Sequence, residues 1–345
     1  MNPSVKSTRE NSLLDLLKFI CAYLAVAVHS TPVETAFGQA LLNAAHMAVP
    51  PFFMISGYLL RDDHGELDPA RFRARIVRLL KMTAVWMIIY LFASTLLVVI
   101  GQNRIPVSAT PRGWLNQMTS PATWLKFLIF QYVPGIGYHL WYLPASIIGL
   151  LLLQAIDHLR LQKCRLPLAT GLLIVQVLLA LVNSYKGLGL HASIVRNAWL
   201  TAFPFLMLGD WVRDHEDALR ARIPFALLAV LVVAGLVVPS FEFWWGGTTE
   251  YFLGNYVAAI AAFLLAVQLG QGFSRPWGRW MRDASLFVYL WHMMFVQIFD
   301  ILFDYVLHPA PFWHWLITPM SFCLSLGLFE CKRRLTARCK ARKMS

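Results

Sequence analysis

The sequence predicts an all-α, polytopic integral membrane bundle of about ten transmembrane helices with both termini in the cytoplasm. Three observations carry this. Hydrophobic residues make up 58% of the 345, above the roughly 45–50% of soluble domains. Charged residues are only 14%, where about 25% is usual. The apolar residues fall in repeated runs long enough to span a bilayer core of about 30 Å, which excludes an ordinary soluble globule.

Taken in order, apolar runs separated by charged or Pro/Gly-rich stretches place spans at about 12–31, 41–60, 79–100, 139–156, 168–184, 198–212, 224–239, 251–269, 284–303 and 312–330. The first follows Lys6 and Arg9 as a signal peptide would, but Asp15, Lys18 and His29 interrupt it and no A-x-A site follows, so a retained helix is expected. The second contains Pro50-Pro51, which must disturb a helix, and Ser56-Gly57, which permits close backbone approach. Between the third and fourth, Ala122–Val133 is apolar but too short to span. With Pro134-Gly135-Ile136-Gly137 after it, an interfacial or re-entrant helix is expected. The sixth is short around Thr201–Trp211, and the tenth runs into a basic tail. No repeat, low-complexity tract or appended soluble domain is read, so residues 1–345 are expected to form one membrane-embedded domain with short basic tails.

With the N-terminus inside and alternating sides, 24 of the 30 Lys and Arg residues fall in cytoplasmic segments, and the outer loops keep Arg104, Arg112, Lys186 and Arg196. That bias orients membrane proteins. It places the segments around Gly101–Pro121 and Pro239–Glu250 outside, and it accounts for the net charge of +12 without a nucleic-acid partner. Membrane lipids are the expected surroundings. The five cysteines show no metal-ligand spacing: Cys21 and Cys323 lie in apolar spans, and Cys164, Cys331 and Cys339 in basic stretches. No metal is expected.

Ionisable side chains inside a span are costly and point to function by default. From Lys18 to His29 is eleven residues, about three turns plus 20°, so both share one face about 16 Å apart along the axis. Asp15 precedes Lys18 by three and can pair with it. An interface histidine with a snorkelling lysine is the plain alternative. In the Arg-rich segment that follows the second span, Arg75 and Arg78 face one way on a helix. Paired guanidiniums suit a phosphate-bearing ligand, and ordinary positive-inside residues look the same.

Together these residues resemble the membrane-bound acyltransferase-3 family. Lys18 and His29 are similar to its R/K-x10-H motif, and Phe52-Phe53-Met54-Ile55-Ser56-Gly57 to FFxxSG. Arg75-Ile76-Val77-Arg78 is similar to RxxR, and Ser285-Leu286-Phe287-Val288-Tyr289-Leu290-Trp291-His292 to a late SxxxYLxH helix. Tyr138-His139-Leu140-Trp141-Tyr142-Leu143 most resembles the compact members, including the enterobacterial common antigen O-acetyltransferase group and the membrane half of serine-racemase-type resistance proteins. The matches run in order over nearly the whole chain. Lysine stands where most members have arginine in the first motif, Lys81 replaces a proline common after RxxR, and neither an SGNH-type nor a racemase domain is read.

The resemblance implies a bacterial cytoplasmic-membrane protein that transfers an acyl group, in the first instance acetyl from cytoplasmic acetyl-CoA. The acceptor would be a hydroxyl of a surface or lipid-linked glycan. It assigns Arg75 and Arg78 to CoA phosphates, and His29 to general-base catalysis or a transient acyl-histidine. Lys18 and Asp15 would polarise the cavity, with Ser56, His139, Trp141, Tyr142, Tyr289 and His292 on the substrate side. Alternatives are a proton-coupled transporter, which no inverted repeat supports, and a non-catalytic membrane sensor.

Overall fold

The structure, a computed structural model, describes residues 11–62, 65–101, 111–246, 252–270, 272–308 and 310–342. Lys6, Arg9, Arg104 and parts of both expected outer loops lie outside the described residues. Thirteen α-helices, joined by short 3-10 and π segments, make up the described chain: α1 (Ser12–Ser30), α2 (Ala36–Ala45), α3 (Val49–Tyr58), α4 (Pro69–Gly101), α5 (Pro111–Thr119), α6 (Pro121–Phe130), α7 (Tyr142–His158), α8 (Arg165–Lys186), α9 (Phe203–Arg222), α10 (Phe225–Gly246), α11 (Leu253–Leu269), α12 (Pro276–Ile301) and α13 (Ile317–Arg342). No strand occurs among the described residues.

Eight helical stretches among the described residues are long and apolar enough to cross a membrane, and α11 is a shorter apolar helix of 17 residues. The sixth expected span corresponds to α9, whose second half carries Arg213, Asp214, Glu216, Asp217, Arg220 and Arg222 and which is not among the eight. Other boundaries moved for local reasons. The second span is α2, a 3-10 turn at His46–Ala48, then α3, and Pro50 and Pro51 sit in the first turn of α3 where no hydrogen bond is lost. Pro239 does not end a helix as expected but lies inside α10, its ring packed against Gly254 of α11. The expected re-entrant stretch contains the ten-residue α6, and α5 falls where a loop was expected.

The first helix organises the bundle, packing against α3, α11, α12 and α13. Asn11 caps it, its side chain accepting from the Leu13 and Leu14 amides and donating to the Ala266 carbonyl at 3.0 Å. Ser12 Oγ accepts the Arg275 amide at 2.7 Å. At the other end Ser30 and Thr318 hydroxyls meet at 2.8 Å. Both faces of Lys18–His29 are thereby fixed in rotation.

Helices α3 and α9 cross at backbone contact. A Cβ on Gly57 would fall on the Leu206 carbonyl, and one on Gly209 would fall on the Met54 carbonyl, so the crossing needs glycine on both sides. Nearby, a charge network closes one end of the bundle. Arg61 donates to Asp157 and Asp210, each at 2.6 Å, and Arg165 reaches Asp210 at 2.5 Å and Asp214 at 2.9 Å. The Asp210 side chain is fully buried, and those of Arg61 and Arg165 are 9% and 6% exposed.

Removing one partner of a buried ion pair leaves the other charge uncompensated, at about 3–5 kcal/mol. Asp210→Ala removes the carboxylate that Arg61 and Arg165 share, leaving Arg61 with Asp157 alone and Arg165 with Asp214 alone. A thermal-unfolding scan of detergent-purified protein should show a clearly lowered midpoint, and an unchanged midpoint would mean that the network contributes nothing to stability.

Candidate functional site

A cavity of about 310 Å³ lies between α1, α3, α4, α7 and α12. Its size falls at the lower end of small-molecule sites, roughly 300–1,000 Å³. One end is cationic: Lys18 from α1, Arg75 and Arg78 from α4, and Arg282 from α12, with Asp283 beside them. Three turns further along α1 stands His29, with His46, His139, Trp141, Arg196 and His292 in the same cavity wall. Ser56, Tyr142 and Tyr289 line it as well. Of the residues expected from sequence, only Asp15 is absent from this wall, being buried on α1 one turn from Lys18.

Arg75 reaches across to α3 and donates to the Ser56 carbonyl at 3.1 Å. Two stretches singled out separately in the sequence, Arg75–Arg78 and Phe52–Gly57, meet through that bond. The glycine crossing explains how: Gly57 presses the other side of α3 onto α9, leaving the Ser56 carbonyl toward α4.

Three imidazoles from three elements converge at the other pole. The His29 and His292 rings stack at 5.5 Å between centroids and 20° between planes, and His139 meets His292 edge-on at 4.9 Å. His29 Nδ1 and the Tyr138 hydroxyl share a hydrogen bond of 3.0 Å. His139 is held from the outside, its carbonyl accepting from the Tyr289 hydroxyl at 2.8 Å and its ring abutting Tyr90. The Tyr90 hydroxyl in turn donates to the Leu290 carbonyl at 2.9 Å, tying α4 to α12.

The tautomer of His292 follows from its neighbours. Its Nδ1 lies 3.1 Å from the Val288 carbonyl and 2.9 Å from the Tyr289 carbonyl, both acceptors only, so Nδ1 carries the proton. In the neutral ring Nε2 then keeps its lone pair, buried and without a hydrogen-bond partner among the described residues. Such an atom is an acceptor waiting for a proton or a hydroxyl.

Sequence reasoning did not single out His46 and Asp283 as cavity residues, and it counted Arg196 only as an outer-loop charge. His46 lies in the 3-10 turn between α2 and α3, which no periodicity announces. Arg282 precedes Ser285 by three positions on α12, so helical spacing alone puts the two on one face.

These elements define a membrane-embedded helical protein with a cation-lined cavity that reaches a histidine cluster. The profile of the acyltransferase 3 family, described as an acyltransferase domain, matches residues 11–330, and the chain belongs to that family. Among curated proteins it is similar to a serine/alanine racemase of Enterococcus gallinarum, 29% identical over 250 residues that cover 67% of this chain and 33% of that protein. It is also similar to two amino-acid racemases of Enterococcus faecalis. One is 25% identical across 93% of this chain and 46% of its own length, and the other 27% identical across 61% and 29%. The chain thus spans less than half the length of these relatives. No solved structure matches.

Nitrogen NMR of protein labelled at histidine should report His292 as the Nδ1–H tautomer. A signal for the Nε2–H form would contradict the carbonyl contacts and remove its role as a waiting acceptor.

Proposed function

We propose that this protein is a membrane O-acyltransferase moving acetyl from cytoplasmic acetyl-CoA to a hydroxyl of a surface or lipid-linked glycan. The observation that carries this is a single cavity with a phosphate-suited pole and an imidazole pole on one helix, α1. Four cations against one carboxylate at the first pole suit the phosphates of the donor. Arginines in particular can engage each phosphate bidentately. Only a slender arm fits the cavity itself, so the nucleotide would stay at the arginine end. The membrane is the bacterial inner membrane and both termini are cytoplasmic in this reading, which puts the arginine pole inside, in keeping with the 24-to-4 partition of basic residues.

CoA supplies an activated thioester; the protein supplies orientation and proton transfer. His29 takes the acceptor hydroxyl proton as the new C–O bond forms and the C–S bond breaks, and the departing sulfur receives that proton in turn. This role requires the tautomer in which Nδ1–H donates to the Tyr138 oxygen at 3.0 Å, which leaves the Nε2 lone pair for the acceptor proton. Tyr138 is therefore a positioning residue. Lys18 and Arg75 act at the donor end, and Ser56 acts through the carbonyl that holds Arg75.

In this reading His29→Ala stops turnover, a loss of about 10²–10⁴ in rate, while acetyl-CoA affinity is kept. Arg75→Ala or Arg78→Ala does the reverse. Charge-assisted hydrogen bonds contribute about 1.5–3 kcal/mol each, so titration of purified protein should show affinity weakened roughly tenfold or more per arginine. Near-normal transfer by a well-folded His29→Ala protein would return that histidine to a structural role. Mass spectrometry of surface glycans from matched strains with and without the gene should show lost acetyl groups. Cysteine labelling gives the orientation: a C-terminal tag reached from outside intact cells would reverse the arginine pole.

A further inference from the structure

A separate cavity, of about 640 Å³, lies where α8, packed on α9, faces α10, packed on α11. It shares no residue with the cation-lined cavity. From Leu166 to Leu178 it follows α8 for about 18 Å, close to half of a hydrocarbon core about 30 Å thick. Leu, Ile, Val and Ala side chains form its walls apart from Thr170 and Tyr256, and the Tyr256 hydroxyl already donates to Gln176 at 2.6 Å. That bond ties α11 to α8 toward one end of the slot. Toward the other end Gln268 of α11 donates to the Ile223 carbonyl at 3.2 Å, and Arg220 donates to the Gln268 carbonyl. We infer that the slot holds one tail of an anionic phospholipid, with the headgroup phosphate at Lys163 and Arg222; nothing in this depends on the acyl-transfer reading above.

The two ends of the slot differ in charge, and the difference orients the lipid. Leu166 and Ile223 line one end. Lys163 stands three residues before Leu166, in the 3-10 turn that leads into α8, and Arg222 adjoins Ile223 at the end of α9. Both cations are exposed, and neither has a hydrogen-bond or ion-pair partner among the described residues. The carboxylates near them are engaged elsewhere: Asp157 pairs with Arg61, Asp214 with Arg165, and Glu216 accepts from the Tyr58 hydroxyl. Asp217 lies half a turn around α9 from Leu208, the α9 residue in the slot wall. At the opposite end Leu253 lines the slot, and beside it Glu242 accepts the Gly254 amide at 3.2 Å. A phosphate is repelled there and attracted at the Lys163 end.

The tail alone does not select the occupant. Bilayer hydrocarbon is as apolar as leucine, so a chain that leaves it for the slot gains little. Selection therefore falls to the headgroup. Each Lys or Arg near an anionic lipid contributes about fivefold in affinity, and the same cations repel the ammonium of a zwitterionic headgroup.

The test compares two lipids with the same tails. Native mass spectrometry of the purified full-length protein, checked for monodisperse elution, is used to titrate dioleoylphosphatidylglycerol and dioleoylphosphatidylcholine. Wild type should prefer the glycerol lipid roughly tenfold or more. The double variant Lys163→Gln/Arg222→Gln should lose that preference and keep its affinity for the choline lipid. Thr170→Trp, which fills the slot from an exposed position, should weaken both lipids roughly tenfold or more. If that variant does not fold, Ile174→Trp, at a position 54% exposed, takes its place. Equal affinity of wild type for the two lipids overturns the proposal, as does a preference that survives the double variant. Unchanged binding with the slot filled overturns the placement of the tail. A wild-type dimer that the filled slot splits, with no lipid preference, assigns the slot to a second copy of the chain and overturns the proposal as well.

Discussion

An ionisable group in a hydrocarbon layer must be paired or must face a polar cavity, because the bilayer core supplies no water to solvate it. The described part of this chain meets that condition in two ways, and the division organises the rest. Arg61 and Arg165 are buried and fully matched by Asp157, Asp210 and Asp214, which makes a closed structural knot. Lys18, Arg75, Arg78 and Arg282 instead gather on one cavity, where a single carboxylate, Asp283, accompanies them. The first set spends its charge on the fold. The second keeps charge available, and the face of α1 that bears Lys18 and His29 has to look into that cavity.

Close packing supports the second set. Gly57 lets α3 lie on α9 at backbone distance, and Gly209 answers from the other side. This crossing places the Ser56 carbonyl where Arg75 can donate to it, so one dipeptide joins helix packing to the orientation of a guanidinium. A similar economy occurs near His139. Gly135, at φ +70° and pressed against Ser94 and Trp114, turns the chain so that Ile136 donates to Ser94 and the following 3-10 segment carries His139 and Trp141 inward. Irregular backbone is tolerated at this depth because it is buried against α4 and lines a cavity.

The α-helical class and most spans could be read directly, since long apolar runs broken by charge have few other solutions. Lys18 and His29 were legible as a pair because helical periodicity alone puts them on one face. Arg75 and Arg78 were legible by the same rule. What failed was mostly at ends and breaks. Pro239 looked like a terminator, yet Gly254 on a neighbouring helix makes room for its ring, a tertiary fact absent from local pattern. The length of α9 was underestimated because hydropathy falls where Arg213–Arg222 begins, although the helix continues. Arg61 with Asp157 and Asp210 was invisible, since those residues are separated by 96 and 149 positions. Asp15 lies one turn from Lys18 on α1, buried behind the cavity wall rather than in it.

The separation of the two poles bears on the donor that we propose. Lys18 and His29 stand about 16 Å apart along α1, close to the reach of five extended peptide units at roughly 3.3 Å each. A donor that holds its phosphate next to its acyl carbon, such as an acyl phosphate, could not occupy both poles at once. Its anion would sit among the arginines and its carbonyl far from any imidazole. A donor whose phosphates and thioester are joined by a long, thin, amide-containing arm matches both the distance and the narrowness of the cavity, and CoA is built that way. Under the proposed acyl-transfer reading, the length of α1 between Lys18 and His29 would work as a ruler, favouring thioesters carried on such an arm over smaller activated acyl groups.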